Sequence, residues 1–141
     1  METPVITTLV TAVSAVIVAG LTYYLTKRRE QEIEWRKLKL EHYRTYMAAL
    51  SGAIGSRTSA ESQIRYADAV NTLQLVAPEK VLAALYNFQD EIKYSNSSKT
   101  TESHDDYLTK LLIEMRADIH PSLKHDKGLK FRMFDIPPIT A

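Results

Sequence analysis

The sequence predicts an all-α protein. One N-terminal transmembrane helix continues into a small cytoplasmic bundle of about four helices, and an irregular C-terminal tail follows. Three observations support this prediction. No charged residue lies between Glu2 and Lys27. Beyond Lys27, apolar residues recur three, four and seven positions apart, which is the repeat of an amphipathic helix. The chain has only four glycines and five prolines in 141 residues, too few for a fold rich in tight β-turns.

The first element is a predicted membrane anchor over residues 1–26. Its apolar centre runs from Val5 to Leu25, which is 21 residues. At about 1.5 Å rise per residue this helix is roughly 32 Å long, close to the hydrocarbon thickness of a bilayer. A cleaved signal peptide begins with basic residues and has a shorter apolar run, whereas this chain starts Met-Glu-Thr-Pro. We therefore expect an uncleaved signal anchor.

The residues that flank the anchor predict its orientation. Lys27, Arg28 and Arg29 follow the apolar run directly, and basic residues at the end of a span stay in the cytoplasm. Tyr23 and Tyr24 precede them, where interfacial aromatic residues are common. These five residues form the predicted membrane interface, with the N-terminus outside and the C-terminal domain cytoplasmic.

One face of the anchor carries hydroxyl and small side chains. Its members recur at spacings of four, three, four and four, and they are Thr7, Thr11, Ser14, Val18 and Thr22. Small residues let helices approach closely in a membrane, so this face favours self-association. Alternatively, the hydroxyls bond to the backbone of their own helix and face lipid.

Residues 27–121 form the predicted cytoplasmic bundle. Its first helix lacks glycine and proline up to Leu50, and Gly52 and Gly55 are expected to end it. We expect Trp35 to pack within this domain. The apolar stripe of the helix comprises Ile33, Leu40, Tyr43, Met47, Leu50 and Ile54. Ile33 and Leu40 extend the predicted self-association face below the membrane.

Three more helices follow in this region. Residues 58–61 and 103–106 have the spacing of a capping box, and Pro78 suits the first position of a helix. His120-Pro121 is expected to end the last helix. The predicted apolar faces are Tyr66, Val70, Leu73 and Ala77, then Val81, Leu82, Leu85, Phe88 and Ile92, and finally Leu108, Leu111, Leu112, Met115 and Ile119.

The tail, residues 122–141, is predicted to be irregular. Apolar Leu129, Phe131 and Met133 alternate with Lys130 and Arg132, a pattern typical of an extended segment. The tail has a surplus of basic residues. Residues 58–119, in contrast, have six basic and ten acidic residues. The difference favours docking of the tail on the bundle, and the alternative is a basic tail for an anionic ligand or nucleic acid.

Several segments resemble a group of small bacterial proteins with one N-terminal span and a helical cytoplasmic domain. The segments are residues 26–30, 34–43, 75–81, 88–92 and 111–119. The resemblance covers most of the chain and implies a location in the bacterial inner membrane. It implies no activity, so no catalytic residues are transferred.

His104, Asp105 and Asp106 are the most site-like cluster in the sequence. Metal-dependent phosphohydrolases of the HD type use such a dipeptide, with further ligands for which His42, His120 and His125 are the candidates. The simpler interpretation is that the two aspartates occupy the first turn of a helix, where acidic residues are favoured. We accordingly predict no catalytic, cofactor-binding or metal-ligating residue.

Overall charge and cysteine content exclude further classes of function. The formal net charge is +1, whereas nucleic-acid-binding domains carry a clear basic excess, so we expect no nucleic-acid partner. The chain has no cysteine, which excludes disulfides and a cysteine nucleophile. The leading prediction is a non-enzymatic, membrane-anchored interaction protein that self-associates and binds an unidentified protein partner. The alternatives are a membrane-disrupting effector or small channel in bacterial stress or phage defence, and a hydrolase that uses His104 and Asp105.

Overall fold

The computed structural model describes residues 2–55, 58–93, 95–124 and 128–134. These residues contain four helices, which are α1 (Glu2–Ala53), α2 (Ala60–Leu73), α3 (Glu79–Ile92) and α4 (Thr101–Ile119). No strand occurs among them, so the predicted all-α class is confirmed. The chain divides into two compact units, Met1–Leu38 and Lys39–Ala141.

The described part of the first unit is helical throughout and belongs to α1. Its large apolar side chains are exposed on every side of the helix. Trp35 is also exposed, at 48%, and is absent from the core cluster, so the expectation that it packs in the cytoplasmic domain is wrong. Its neighbours four residues away, Gln31 and Lys39, are polar, and Leu38, three residues later, is itself 43% exposed, so Trp35 lies outside the buried apolar stripe of the helix.

The second unit has a core to which all four helices contribute one-sided apolar stripes. Tyr46, Leu50, Leu73, Leu85 and Phe88 are fully buried. The remaining buried members of this core are Tyr43, Val70, Val81, Leu108, Leu111 and Met115. The predicted faces of α3 and α4 are therefore confirmed, because their apolar periodicity selects the buried positions.

The C-terminal end of α1 is held by polar groups from the following segment. Helix α1 ends at Ala53, whose carbonyl accepts hydrogen bonds from Thr58 Oγ1 and Gln63 Nε2, each at 3.1 Å. Gly55 then adopts a φ of 85°, a left-handed conformation that suits a residue just past a helix. Gly52, in contrast, lies inside the helix.

Both predicted capping boxes are displaced from their predicted positions. The helix α2 box joins Ser59 and Ser62, and the α4 box joins Thr100 and Ser103. In each case the capping hydroxyl accepts the backbone N–H three residues later, at 3.1 and 3.0 Å. A serine hydroxyl takes the return role that glutamate usually plays, so the predicted partners Glu61 and Asp106 are not needed.

Two further boundaries differ from the prediction. Helix α2 ends at Leu73, and a turn in which Ala77 N–H donates to the Leu73 carbonyl at 3.0 Å leads to the next helix. Pro78 is the extended N-cap residue of α3 and precedes its first helical position. Its fixed φ suits either place.

Candidate functional site

The anchor segment of α1 is the first candidate functional feature. Among the described residues, one helix is long and apolar enough to cross a membrane, and it lies near the N-terminus. None of its most apolar 18-residue window is buried, in contrast to a core helix. Val16 is 72% exposed and Leu9 is 65% exposed. Large apolar patches on a monomer mark a contact with a membrane or another protein.

The hydroxyls of the anchor are bonded to their own helix. Thr7, Thr11 and Ser14 each donate to the carbonyl four residues earlier, at 2.8 Å. Thr8 does the same with the carbonyl of Pro4. The donor of each of these groups is therefore satisfied inside the helix, which permits a lipid-facing or helix-facing position without a polar partner.

The predicted membrane interface contains aromatic side chains and basic side chains that pair with glutamates. Tyr23 and Tyr24 are exposed. Lys27 Nζ lies 3.5 Å from Glu30 Oε2, and Arg28 Nε lies 3.4 Å from Glu32 Oε1. These pairs are exposed, so each stabilises the helix by no more than about 0.5 kcal/mol. The long side chains of this interface remain accessible to headgroups.

The predicted stripe below the membrane divides into an exposed part and a buried part. Ile33 and Leu40 are exposed, at 52% and 41%. Tyr43 and Leu50 are buried in the core of the second unit, and Met47 packs against it. Ile33 and Leu40 therefore keep an apolar surface that this core does not cover.

A polar cluster within the second unit joins α1 to α4. Asp118 accepts hydrogen bonds from Lys39 Nζ at 2.8 Å and from Tyr43 Oη at 2.6 Å. The Lys39 and Asp118 side chains are both mostly buried. Burial and the hydrogen bond to Asp118 raise the pKa of Tyr43 above its ordinary range. The cluster specifies one alignment of the two helices, since a shift would leave a mostly buried charge unpaired.

Sequence reasoning missed this cluster. Lys39 and Asp118 are 79 residues apart, so no local pattern links them. Each lies in line with a buried apolar stripe, Lys39 four residues before Tyr43 and Asp118 three residues after Met115. A charged residue that is buried in such a position requires a partner. The position of Lys39 and Asp118 in line with the buried stripes is therefore the sequence signal that could have revealed the cluster.

Two tyrosines form a second polar contact in the core. The hydroxyls of Tyr46 and Tyr66 are 3.4 Å apart and their ring centroids 5.8 Å apart. Burial raises the pKa of both phenols. Both therefore stay neutral at physiological pH and act as packing residues with a satisfied polar end.

In the described residues, His104 contacts an aromatic ring and one neighbouring carboxylate. No group of three or more potential ligand side chains comes together in the described part of the chain. The His104 ring packs edge-on against Phe88 at 5.3 Å, and its Nδ1 lies 3.5 Å from Asp105 Oδ1. His120 Nδ1 is instead 3.2 Å from Ser122 Oγ. Among the other candidates, His125 lies outside the described residues.

The capping interpretation of the two aspartates is wrong. Helix α4 begins at Thr101, so its first turn carries Glu102, and Asp105 and Asp106 lie in the second turn. They face basic side chains of the tail. Asp105 Oδ2 is 3.8 Å from Arg132 Nε, and Asp106 Oδ1 is 2.9 Å from Lys130 Nζ.

The tail segment 128–134, which we call the arm, runs along α4 without forming a strand. The Phe131 N–H donates to Thr109 Oγ1 at 2.9 Å, and Met133 packs against the core. The hydrogen bond with Asp106 raises the pKa of Lys130. Of the predicted alternation, Phe131 and Met133 are partly buried, whereas Leu129 is exposed.

A hollow beside His104 has a volume of about 510 Å³. Ile54 and Ile92 supply apolar walls, and Lys99 and Glu91 supply charges. The Glu91 carboxylate already accepts hydrogen bonds from Ser103 Oγ and from Asn96 Nδ2. The hollow therefore combines an apolar floor with a carboxylate that is already satisfied.

Comparison with known protein families, with curated proteins and with solved structures finds no match for this chain. The resemblance to small bacterial single-span proteins therefore stays a prediction. The functional argument depends on the geometry alone.

Proposed function

We propose that the protein is a single-span membrane anchor joined to a helical interaction domain, and that it works by binding a second copy and a protein partner. The observation that carries the proposal is the exposure of the whole apolar window of α1. Burying apolar surface is worth about 25 cal/mol per Å². A helix that is apolar on all sides gains this only in a bilayer or between other helices.

The orientation follows from the charges beside the anchor. Lys27, Arg28 and Arg29 keep the second unit in the cytoplasm of a bacterium, and the N-terminus lies outside the inner membrane. A periplasm-dependent phosphatase fused after Ala141 is expected to be inactive, and a fluorescent protein fused there is expected to be bright. The reverse result in both fusions contradicts this orientation.

The surface for self-association is the face of Thr7, Thr11, Ser14, Val18 and Thr22. Its hydroxyl donors are satisfied inside the helix at Thr7, Thr11 and Ser14, so this face packs against a second helix without an unpaired donor. Ile33 and Leu40 supply exposed apolar contacts beyond the membrane. Nothing in this surface requires a cofactor.

Cysteine cross-linking tests the face directly, because the native chain contains no cysteine. Thr11→Cys and Val18→Cys lie on the proposed face, whereas Val13→Cys lies about 200° around the helix from Thr11 and is the matched control. We expect oxidation in native membranes to give disulfide-linked dimers at positions 11 and 18 and few at position 13. Equal cross-linking at all three positions, or none at any, contradicts the proposal.

A further inference from the structure

The arm contacts α4 in the way that a receptor contacts an extended peptide. The side chain of Thr109 takes the place of a neighbouring strand, because its hydroxyl accepts from the Phe131 N–H at 2.9 Å and lies 3.5 Å from the Phe131 carbonyl oxygen. Thr109 is buried, at 9% exposure. Main-chain hydrogen bonds of this kind bind a peptide whatever its sequence.

Side chains on the two sides of Phe131 add selectivity. Lys130 Nζ lies 2.9 Å from Asp106 Oδ1 and 3.7 Å from Glu102 Oε1, and Arg132 Nε lies 3.8 Å from Asp105 Oδ2. The groove formed by Glu102, Asp105, Asp106 and Thr109, which we call the α4 groove, therefore matches a basic residue at each alternate position of the arm.

Two apolar residues of the arm, Phe131 and Met133, are in contact as well, whereas Leu129 is exposed. The Arg116 guanidinium lies over the Phe131 ring, 5.2 Å from its centroid. Met133 packs against the core cluster. The basic side chains and Phe131 thus meet different residues of α4, and Met133 meets the core cluster, so the surface distinguishes basic from apolar positions of the arm.

The arm is held by contacts that exchange readily. The Lys130 and Arg132 side chains are 46% and 74% exposed, and exposed ion pairs contribute little and weaken with salt. Among the described residues, the bond from the Phe131 N–H to Thr109 Oγ1 and the partly buried Phe131 and Met133 add to these contacts. A competing segment with the same alternation can therefore replace the arm.

We infer that the α4 groove is a docking site for an extended segment of a protein partner that alternates basic with apolar residues, and that the arm is its resident occupant. The arm keeps the groove closed until such a partner displaces it. This inference concerns the second unit only. It does not depend on the orientation of the anchor or on self-association, so its test and that of the proposed function fail separately.

The test is direct binding of a peptide to the full-length protein in detergent. The probe is a fluorescein-labelled peptide with the sequence of residues 128–134, measured by anisotropy. Because a tethered segment reaches an effective concentration of about 1 mM, the receptor carries Lys130→Glu and Arg132→Glu, which place like charges opposite the groove and release the arm. We expect this receptor to bind the peptide and the wild-type protein to bind it at least roughly tenfold more weakly.

Changes in the peptide, the salt concentration and the receptor identify the groove. A peptide with Lys130→Glu and Arg132→Glu should not bind, and 0.5 M NaCl should weaken binding of the native peptide. In the arm-released receptor, Asp105→Asn with Asp106→Asn should weaken binding about tenfold through loss of two ion pairs. Thr109→Val keeps the side-chain volume and removes the backbone contact, and helix content by circular dichroism shows whether it is folded.

The inference is overturned if the arm-released receptor does not bind the peptide. It is equally overturned if the charge-reversed peptide binds as well as the native one. Binding that survives the double aspartate substitution undiminished places the peptide elsewhere and also contradicts the α4 groove. Since the aspartate pair is partly exposed, this variant decides the matter even where Thr109→Val does not fold.

Discussion

Helix α1 contains two apolar stretches with opposite environments. Between Val5 and Leu25 the large apolar side chains are exposed, whereas Tyr46 and Leu50 are completely buried. Both stretches are helical and both are apolar, so hydrophobicity alone does not determine burial. The difference lies in pattern. The second stretch has a charged and polar side and matches stripes on α2, α3 and α4, whereas the first has no charged side chain and the hydroxyls of Thr7, Thr11 and Ser14 donate within their own helix.

This comparison separates two kinds of apolar surface on one helix. A one-sided stripe specifies a partner surface, because only one orientation buries it. An apolar surface on all sides specifies a medium, because any rotation about the helix axis buries it equally well in lipid. Substitutions in the two regions should therefore fail in different ways.

The largest effect is expected in the anchor. Val13→Arg with Ile17→Arg puts two charges in the middle of the apolar run, at a cost of roughly 5–7 kcal/mol for insertion. The protein should move from the detergent phase to the aqueous phase in Triton X-114 partitioning. The control, Gln31→Arg with Glu34→Arg, adds the same side chains outside the run and should leave partitioning unchanged. If the first variant stays in the detergent phase, the anchor does not depend on this segment.

In the second unit, truncation of a core side chain should destabilise the folded domain and leave the anchor unaffected. Leu85→Ala removes a fully buried side chain and should lower the free energy of unfolding by about 2–5 kcal/mol. Leu75→Ala is the same change at a residue that is 82% exposed, and its effect should stay within about 0.5 kcal/mol. Urea unfolding followed by circular dichroism measures both. Similar losses for the two variants would show that the assigned core is wrong.

The sequence is sufficient to predict the buried face of each helix and insufficient to predict its first residue. Leu85, Phe88 and Leu111 were predicted because periodicity of three and four selects one side of a helix. The caps were misplaced because several hydroxyl residues adjoin each helix start, and only the residue with an extended backbone, Ser59 or Thr100, forms the box.

The long-range polar contacts were beyond sequence reasoning for a different reason. The pairing of Lys39 with Asp118 depends on how α1 and α4 pack, and the arm contacts depend on the path of the chain after α4. The charge difference between tail and middle section indicated docking. It did not identify Asp105 and Asp106 as the residues that contact the arm, because from the sequence alone a capping role explained these two aspartates equally well.

Alkaline pH should destabilise the second unit more than the anchor. Folding raises the pKa of Tyr43, Tyr46 and Tyr66, so their contribution to stability is complete below pH 10 and is lost as the pH rises above the value of an unfolded phenol. The free energy of unfolding should fall by up to about 1.4 kcal/mol per pH unit for each phenol. Tyr43→Phe should make this decline less steep, and an unchanged slope contradicts the assignment.

Breaking the polar cluster of Lys39, Tyr43 and Asp118 should lower the free energy of unfolding less than truncating a side chain of the apolar core. Asp118→Asn keeps the shape of the side chain, removes the charge that Lys39 and Tyr43 face, and leaves a mostly buried ammonium without its partner. We expect a loss of about 1–3 kcal/mol in urea unfolding. Asp90→Asn breaks the exposed pair with Lys93 and should change stability by less than about 0.5 kcal/mol. Equal effects would mean that Asp118 is solvated like a surface residue.

The smallest effects are expected from removing a single hydroxyl, either in the second unit or in the anchor. Thr100→Ala removes the side chain that accepts the Ser103 N–H, an otherwise unpaired helix-start donor, and should cost about 1 kcal/mol in the free energy of unfolding. Thr11→Ala removes a hydroxyl whose hydrogen bond goes to the Thr7 carbonyl, which already lies within the helical hydrogen-bonding pattern. Its loss leaves no donor unpaired, so partitioning into detergent should be unchanged. Thermal unfolding and Triton X-114 partitioning of both variants separate the two roles. A partitioning defect in Thr11→Ala would show that the anchor hydroxyl has a partner outside its own helix.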